Sequence, residues 1–217
     1  MAKVIAVTDA VKSLSEVEAR FGLRRVEDEQ FFTEWQQDLP ELNDAERAKL
    51  QVLRQRLLYH RAEGDLLEGS VMLLVASPLL EQTGFYDPPF RMQAEAGVEV
   101  TVTDGEEILR GRIDVLIMQR QFWALVLESK KTTISTQSAL PQALAYMMAT
   151  PESDQPQYGM LTNGDDVLFI KLVLRPEKQY SLSRVFSLYT LTQEWQGALQ
   201  VLKKLARIME SAQGTSG

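Results

Sequence analysis

Three side chains of the kind that hold metal ions and move protons, Asp114, Glu128 and Lys130, lie in two apolar, strand-like stretches, Ile108 to Met118 and Phe122 to Lys130. Side chains on one face of a strand recur every second residue, so Glu128 and Lys130 share a face. An antiparallel neighbour brings Asp114 beside them. Two carboxylates and the Ser129 carbonyl form a hard, oxygen-rich donor set of the type that suits Mg²⁺ or Mn²⁺. An ammonium at the same place orients or polarises a water and stabilises developing charge, and these are the parts that phosphodiester hydrolysis needs. Gln142 and Tyr146 follow, four residues apart in a helical stretch and therefore on one helix face.

Asp114, thirteen further residues and then Glu128-Ser129-Lys130 resemble the motif of the PD-(D/E)xK nuclease superfamily, with Gly111-Arg112 standing where that motif has its leading proline. Gln142 and Tyr146 form a QxxxY pattern similar to that of exonuclease and restriction-subunit branches. Many members place a glutamate on the helix before the first strand; here Glu68 is the first choice and Glu63 the second. The run Gly159 to Gly164, followed by Val167 to Ile170, is similar to the strand and turn that close the nuclease domain at the N-terminus of type I restriction enzyme R subunits. The resemblance covers about Asp65 to Leu174.

This likeness implies an α/β (α+β) fold of restriction endonuclease type, a central mixed β-sheet flanked by helices, with additional N- and C-terminal helices. It implies Mg²⁺-dependent (or Mn²⁺-dependent) hydrolysis of DNA. Asp114 and Glu128 would hold the metal with Glu68 assisting, Lys130 would position the water, and Gln142 and Tyr146 would support the site or meet the DNA backbone. Ser129, Lys131, Thr132, Thr133 and Ser135 would line its mouth. The expected partners are DNA and other restriction-system or motor subunits. No GxxxxGK[ST] run occurs, so this sequence does not itself carry a P-loop motor. The competing reading is a catalytically silent binding or regulatory module on the same fold. A third is a homo-oligomeric scaffold built on the terminal helices. Taken singly, each residue has an ordinary explanation: a charged strand tip, a polar helix edge, an acid favourable to a helix dipole. Their order and placement favour the site.

Around these residues the pattern predicts helices near Asp9 to Phe21, Glu27 to Trp35, Asp44 to Ala62 and Asp65 to Leu80. The helix from Asp44 carries Leu50, Leu53, Leu57 and Leu58 as an apolar stripe, with Arg47, Lys49, Arg54, Arg56 and Arg61 as its solvated face. Strands are expected at Gly97 to Thr103, Ile108 to Met118 and Phe122 to Lys130. Asp104-Gly105 and Gln119-Arg120-Gln121 join them into an antiparallel meander. A helix from Thr136 to Ala149, a loop from Pro151 to Pro156, a hairpin of Gln157 to Thr162 and Val167 to Leu174 about Asn163-Gly164, and a last helix from Thr192 to Ser211 complete the reading. The expected units are a helical extension at 1–64, the nuclease-like core at 65–175 and a C-terminal segment at 176–217.

Composition sets the limits. With 217 residues, 45% of them hydrophobic, the chain can bury one substantial core. It contains no cysteine and one histidine, His60, which rules out disulfides, thiolate ligands, a cysteine nucleophile and a histidine-based metal site. No run of membrane-spanning length or signal-peptide pattern is present, so a cytoplasmic location is expected. The net charge of −7 speaks against coating nucleic acid by bulk positive charge. Eight acids and no base lie between Glu27 and Glu46, whereas Gly105 to Lys131 holds four acids and five bases, so the site region is locally near neutral.

Overall fold

The structure, a computed structural model, describes residues 3–102, 107–119, 122–129, 131–149 and 155–211; for 3, 101, 102, 119 and 122–129 it describes the backbone alone. Among the described residues nine strands form one mixed sheet. The longest are β3 (Phe90–Val102) and β4 (Glu107–Gln119), paired antiparallel along their whole length. The other side of β4 is shared. β1 (Lys3–Ala6) runs parallel to its first residues, Glu107 to Arg110, and β5 (Phe122–Ser129) runs antiparallel to its last, Val115 to Gln119. Residues 111–114 lie between the two partners. Beyond β5 come β6 (Gln157–Thr162, parallel to β5), β7 (Asp166–Val173), β8 (Gln179–Leu182) and the two-residue β2 (Arg24–Arg25); β9 (Phe186–Ser187) also pairs β7.

The antiparallel meander of β3, β4 and β5 matches the sequence expectation. Its two connections lie wholly or partly outside the described residues, as does the start of the loop from Pro151. The small strands β1, β2, β8 and β9 were not expected. They show that the sheet draws on residues on both sides of 65–175.

Helices cover both faces. On one side are α3 (Asp44–Arg61), a continuous helical run and α7 (Thr192–Ser211). The run comprises α4 (Glu68–Val71), a π-turn (Met72–Ala76) and α5 (Ser77–Gln82). The α3 start is fixed by a capping box: Asn43 accepts from the Glu46 N–H and Glu46 accepts from the Asn43 N–H. Such caps contribute about 1 kcal/mol. Leu50, Leu53 and Leu57 of α3 meet Trp195, Leu199, Leu202 and Leu205 of α7, together with Val115, Ile117, Met160 and Phe169 from the sheet. This run, expected as one helix over Asp65 to Leu80, is not buried all round: Leu73 is 75% exposed, and Leu67, the residue before Glu68, 70%.

The opposite face carries α1 (Val7–Ala10), α2 (Leu14–Phe21) and α6 (Leu140–Met147), the last led by a 3₁₀ turn at Thr136–Ala139. Their apolar residues pack with Leu109, Ile113, Leu116, Leu161, Leu168 and Ile170. The expected helix at Glu27 to Trp35 is absent; these residues form turns. Tertiary contacts overrule their helical spacing. Phe32 enters the core, and Glu34 accepts from Lys171 Nζ at 2.6 Å and from the Tyr158 hydroxyl at 2.9 Å. Burial, together with the adjacent Glu34 carboxylate, drives the Tyr158 pKa strongly upward.

Candidate active site at the β4–β5 junction

Asp114 is half-buried near the middle of β4, at the end of the interval between β1 and β5. Val115 is paired with Leu127, so the β4–β5 ladder ends one residue after Asp114 on β4 and one residue before Glu128 on β5. On its other side Glu128 is paired with Leu161, which packs in the α6-side core. The backbone thus leaves the first two predicted site residues at the same end of the β4–β5 ladder. The Glu128 side chain and the whole of Lys130 lie outside the described residues.

Gln142 and Tyr146 do share a face of α6. The Gln142 Nε2 donates to the Tyr146 hydroxyl at 2.7 Å, and Tyr146 is buried at 2% exposure. Its ring lies directly on β4: a Cβ built at Gly111 would come within 2.4 Å of Tyr146 Cε1 and 2.7 Å of its hydroxyl. Gly111 therefore has a different meaning from the one its place in the motif suggested. It is the bare backbone on which the tyrosine rests, three residues before Asp114.

Glu68 is the exposed first residue of α4, in the layer opposite α6. Thr132, two residues beyond Lys130, ties the exit of β5 to the approach of α4. The Thr132 N–H donates to the Leu66 carbonyl at 3.1 Å, and the Leu66 N–H donates to Thr132 Oγ1 at 3.0 Å. Glu68 thus starts two residues after a point fastened to the end of β5. Glu63 instead occupies the turn that follows α3.

By sequence pattern Arg61 belongs to the solvated face of α3 and Asn163-Gly164 is a hairpin turn. Both do more. Arg61 clamps Asp165 with two hydrogen bonds of 3.0 Å and also donates to the Gly64 carbonyl at 2.7 Å and to Asp65 at 3.1 Å. The bond to Asp165 raises its pKa further, against the opposing effect of burial. A bidentate, largely buried pair of this kind is geometrically specific. Asn163 Nδ2 donates to the Ile134 carbonyl at 2.9 Å, fastening the β5–α6 connection to the end of β6. These are positioning contacts around the exit of β5. The only signal for Arg61 in the sequence was its place at the end of α3, beside the Gly64 stop.

Among the described residues no group of three His, Cys, Asp or Glu side chains is arranged to hold a metal ion. The Asp114 and Glu128 positions, with the Ser129 carbonyl next to them, provide oxygen donors alone, and this donor chemistry fits a hard divalent cation. Among the described residues no helix is long and apolar enough to cross a membrane.

A single mixed sheet with helices on both faces defines an α+β protein. The family described as type I restriction enzyme R protein N terminus (HSDR_N) matches residues 77–185, half of the chain, and the chain belongs to that family. The match includes Asp114, Glu128, Lys130, Gln142 and Tyr146 and begins after Glu68. Among solved structures, a fragment assigned to the HsdR subunit of a type I restriction enzyme from Vibrio vulnificus YJ016 is similar at 21% identity and a TM-score of 0.40, over 62% of this chain and 26% of that one. This chain thus spans about a quarter of the length of that relative. No curated protein matches.

Proposed function

We propose that the chain is a DNA phosphodiesterase dependent on Mg²⁺ or Mn²⁺, acting with DNA-translocating and other restriction-system subunits. The observation that supports this reading is the β4–β5 ladder, which ends at Val115 opposite Leu127, one residue after Asp114 and one before Glu128, while α6 carries the Gln142–Tyr146 pair. Family membership supports it.

Asp114 and Glu128 would hold the metal; Glu68, although α4 lies in the layer opposite α6, would assist from the start of α4, whose approach Thr132 fastens to the exit of β5. When bound, such an ion neutralises a scissile phosphate and acidifies water. Lys130 would hold the attacking water and offset charge as it grows on the phosphate oxygens. Gln142 keeps the Tyr146 hydroxyl in place, and that pair would support the carboxylates or take a DNA phosphate as a hydrogen-bond acceptor.

The test is nicking of supercoiled plasmid with Mg²⁺ or Mn²⁺ by the intact chain and by Asp114→Asn, Glu128→Ala and Lys130→Ala. Each variant should lose at least ~100-fold in rate, the scale on which removal of one stabilising group acts. Nicking that survives in both Glu128→Ala and Lys130→Ala would overturn the assignment. Tight Mn²⁺ binding without nicking by the intact chain would turn it to the silent module.

A further inference from the structure

Along β4 the sheet changes face at one place. Leu109 and Ile113 pack on the α6 side, whereas Val115 and Ile117 pack on the α3 and α7 side. Residues two apart in a regular strand share a face, so Ile113 and Val115 cannot be joined by regular strand. Leu116 is again on the α6 side. β3 changes at the same level: Ala96, Val98 and Val100 lie on the α6 side and Phe90 on the other. The register is the same before and after, with Ala96 opposite Ile113 and Ala94 opposite Val115, so neither strand gains a residue. The reset occurs in both strands at once, at Glu95 and Asp114.

Glu95 supplies the backbone for it. Its φ is +50°, in the left-handed region, where a residue with a Cβ is sterically disfavoured. Its side chain does not account for this conformation, because its ion pair with Arg112 at 3.0 Å is exposed on both sides, 74% and 68%. Exposed pairs of this kind contribute little. Disfavoured backbone persists where the surrounding structure over-determines it, and such positions gather at functional sites.

We infer that the reset at Glu95 delivers Asp114 to the α6 face, in the frame of Leu116 and beside Glu128. Continued without a reset, the frame of Ile113 turns residue 114 to the other face, away from Leu161 and its strand partner Glu128. Glu95 is thus a positioning residue that touches neither metal nor substrate. Its role in catalysis rests on the nuclease reading; its role in setting the face of residue 114 does not.

The chain has no cysteine, which permits a direct test. In an Asp114→Cys, Glu128→Cys double variant, directly opposed positions on one face fall within disulfide reach. The bond should form readily under mild oxidation, read as a shift on a non-reducing gel and a loss of two hydrogens by mass. Adding Glu95→Gly, which is at ease at positive φ, should leave the crosslinking rate within about twofold and the melting midpoint no lower. Adding Glu95→Val, a β-branched residue that resists positive φ, should slow crosslinking at least ~10-fold with the circular dichroism spectrum retained. No crosslink in the Glu95 background, equal crosslinking in Glu95→Val, or loss of the crosslink in Glu95→Gly would each overturn the inference. If Glu95→Val does not fold, the Glu95→Gly and parent results decide it. Nicking by the cysteine-free chain, with and without Glu95→Val, is scored separately. A parent that crosslinks in its double variant but never nicks refutes the nuclease reading and leaves the face assignment standing.

Discussion

The sheet contains two long antiparallel hairpins built on opposite terms. In β6–β7 the register runs unbroken from Gln157 opposite Leu172 to Thr162 opposite Val167, and every residue of β6 is buried. Its turn is closed by the Thr162 and Asn163 side chains, which bond to the backbone of Gly164 and Asp166. In β3–β4 the outer strand forms an edge, with Arg91, Gln93, Glu95 and Glu99 exposed, and the alternation of faces is broken midway. The regular hairpin is a source of stability, and the irregular one carries Asp114 of the candidate site. An unshifted register with a change of face lets one pair of strands serve both cores.

Substitutions should separate the two hairpins, and the largest effect belongs to the regular one. Phe169 of β7 is fully buried against Phe186, with ring centroids 5.7 Å apart. Phe169→Ala should cost about 3–5 kcal/mol in a urea titration. A loss near 1 kcal/mol would show that β6–β7 is not the stabilising hairpin. At its turn Gly164 has φ +90°, and an added Cβ would lie 3.1 Å from Val71 Cγ2. Gly164→Ala should cost about 1–2 kcal/mol from backbone strain, with that contact adding to it. In the irregular hairpin, Arg112→Ala removes an exposed pair and should change stability by less than ~0.5 kcal/mol. A larger loss would mean that the Arg112 ion pair, and not the surrounding structure, sustains the Glu95 backbone.

The sequence made the regular hairpin legible almost to the residue, because Asn163-Gly164 between two apolar runs carries both turn chemistry and periodicity. The last helix was equally plain from Trp195, Leu199, Leu202 and Leu205, all fully buried in α7. Four strands were missed for a shared reason. β2 is two exposed arginines and β9 two residues, and β1 and β8 have four each, too few for a period to emerge. The Glu27 to Trp35 segment misled because Glu34 and Phe32 answer to Lys171, Tyr158 and the core, partners far away in sequence. At the site, the pairing of β4 with β5 and the shared face of Gln142 and Tyr146 were readable from strand and helix periods. The face of residue 114 was not. The apolar run from Val115 to Met118 has no alternation that could reveal a reset imposed by a residue on the neighbouring strand.

The contact between Tyr146 and Gly111 has a mechanical consequence. A ring resting on bare backbone acts as a gauge block: it fixes how closely α6 can lie on β4, and no rearrangement of other side chains can reduce that separation. Because Gln142 braces the ring through its hydroxyl, the block is held against tilting as well. The spacing of α6 from β4 is therefore machined into the chain at residue 111, and any side chain there would have to lift the helix or swing the tyrosine aside.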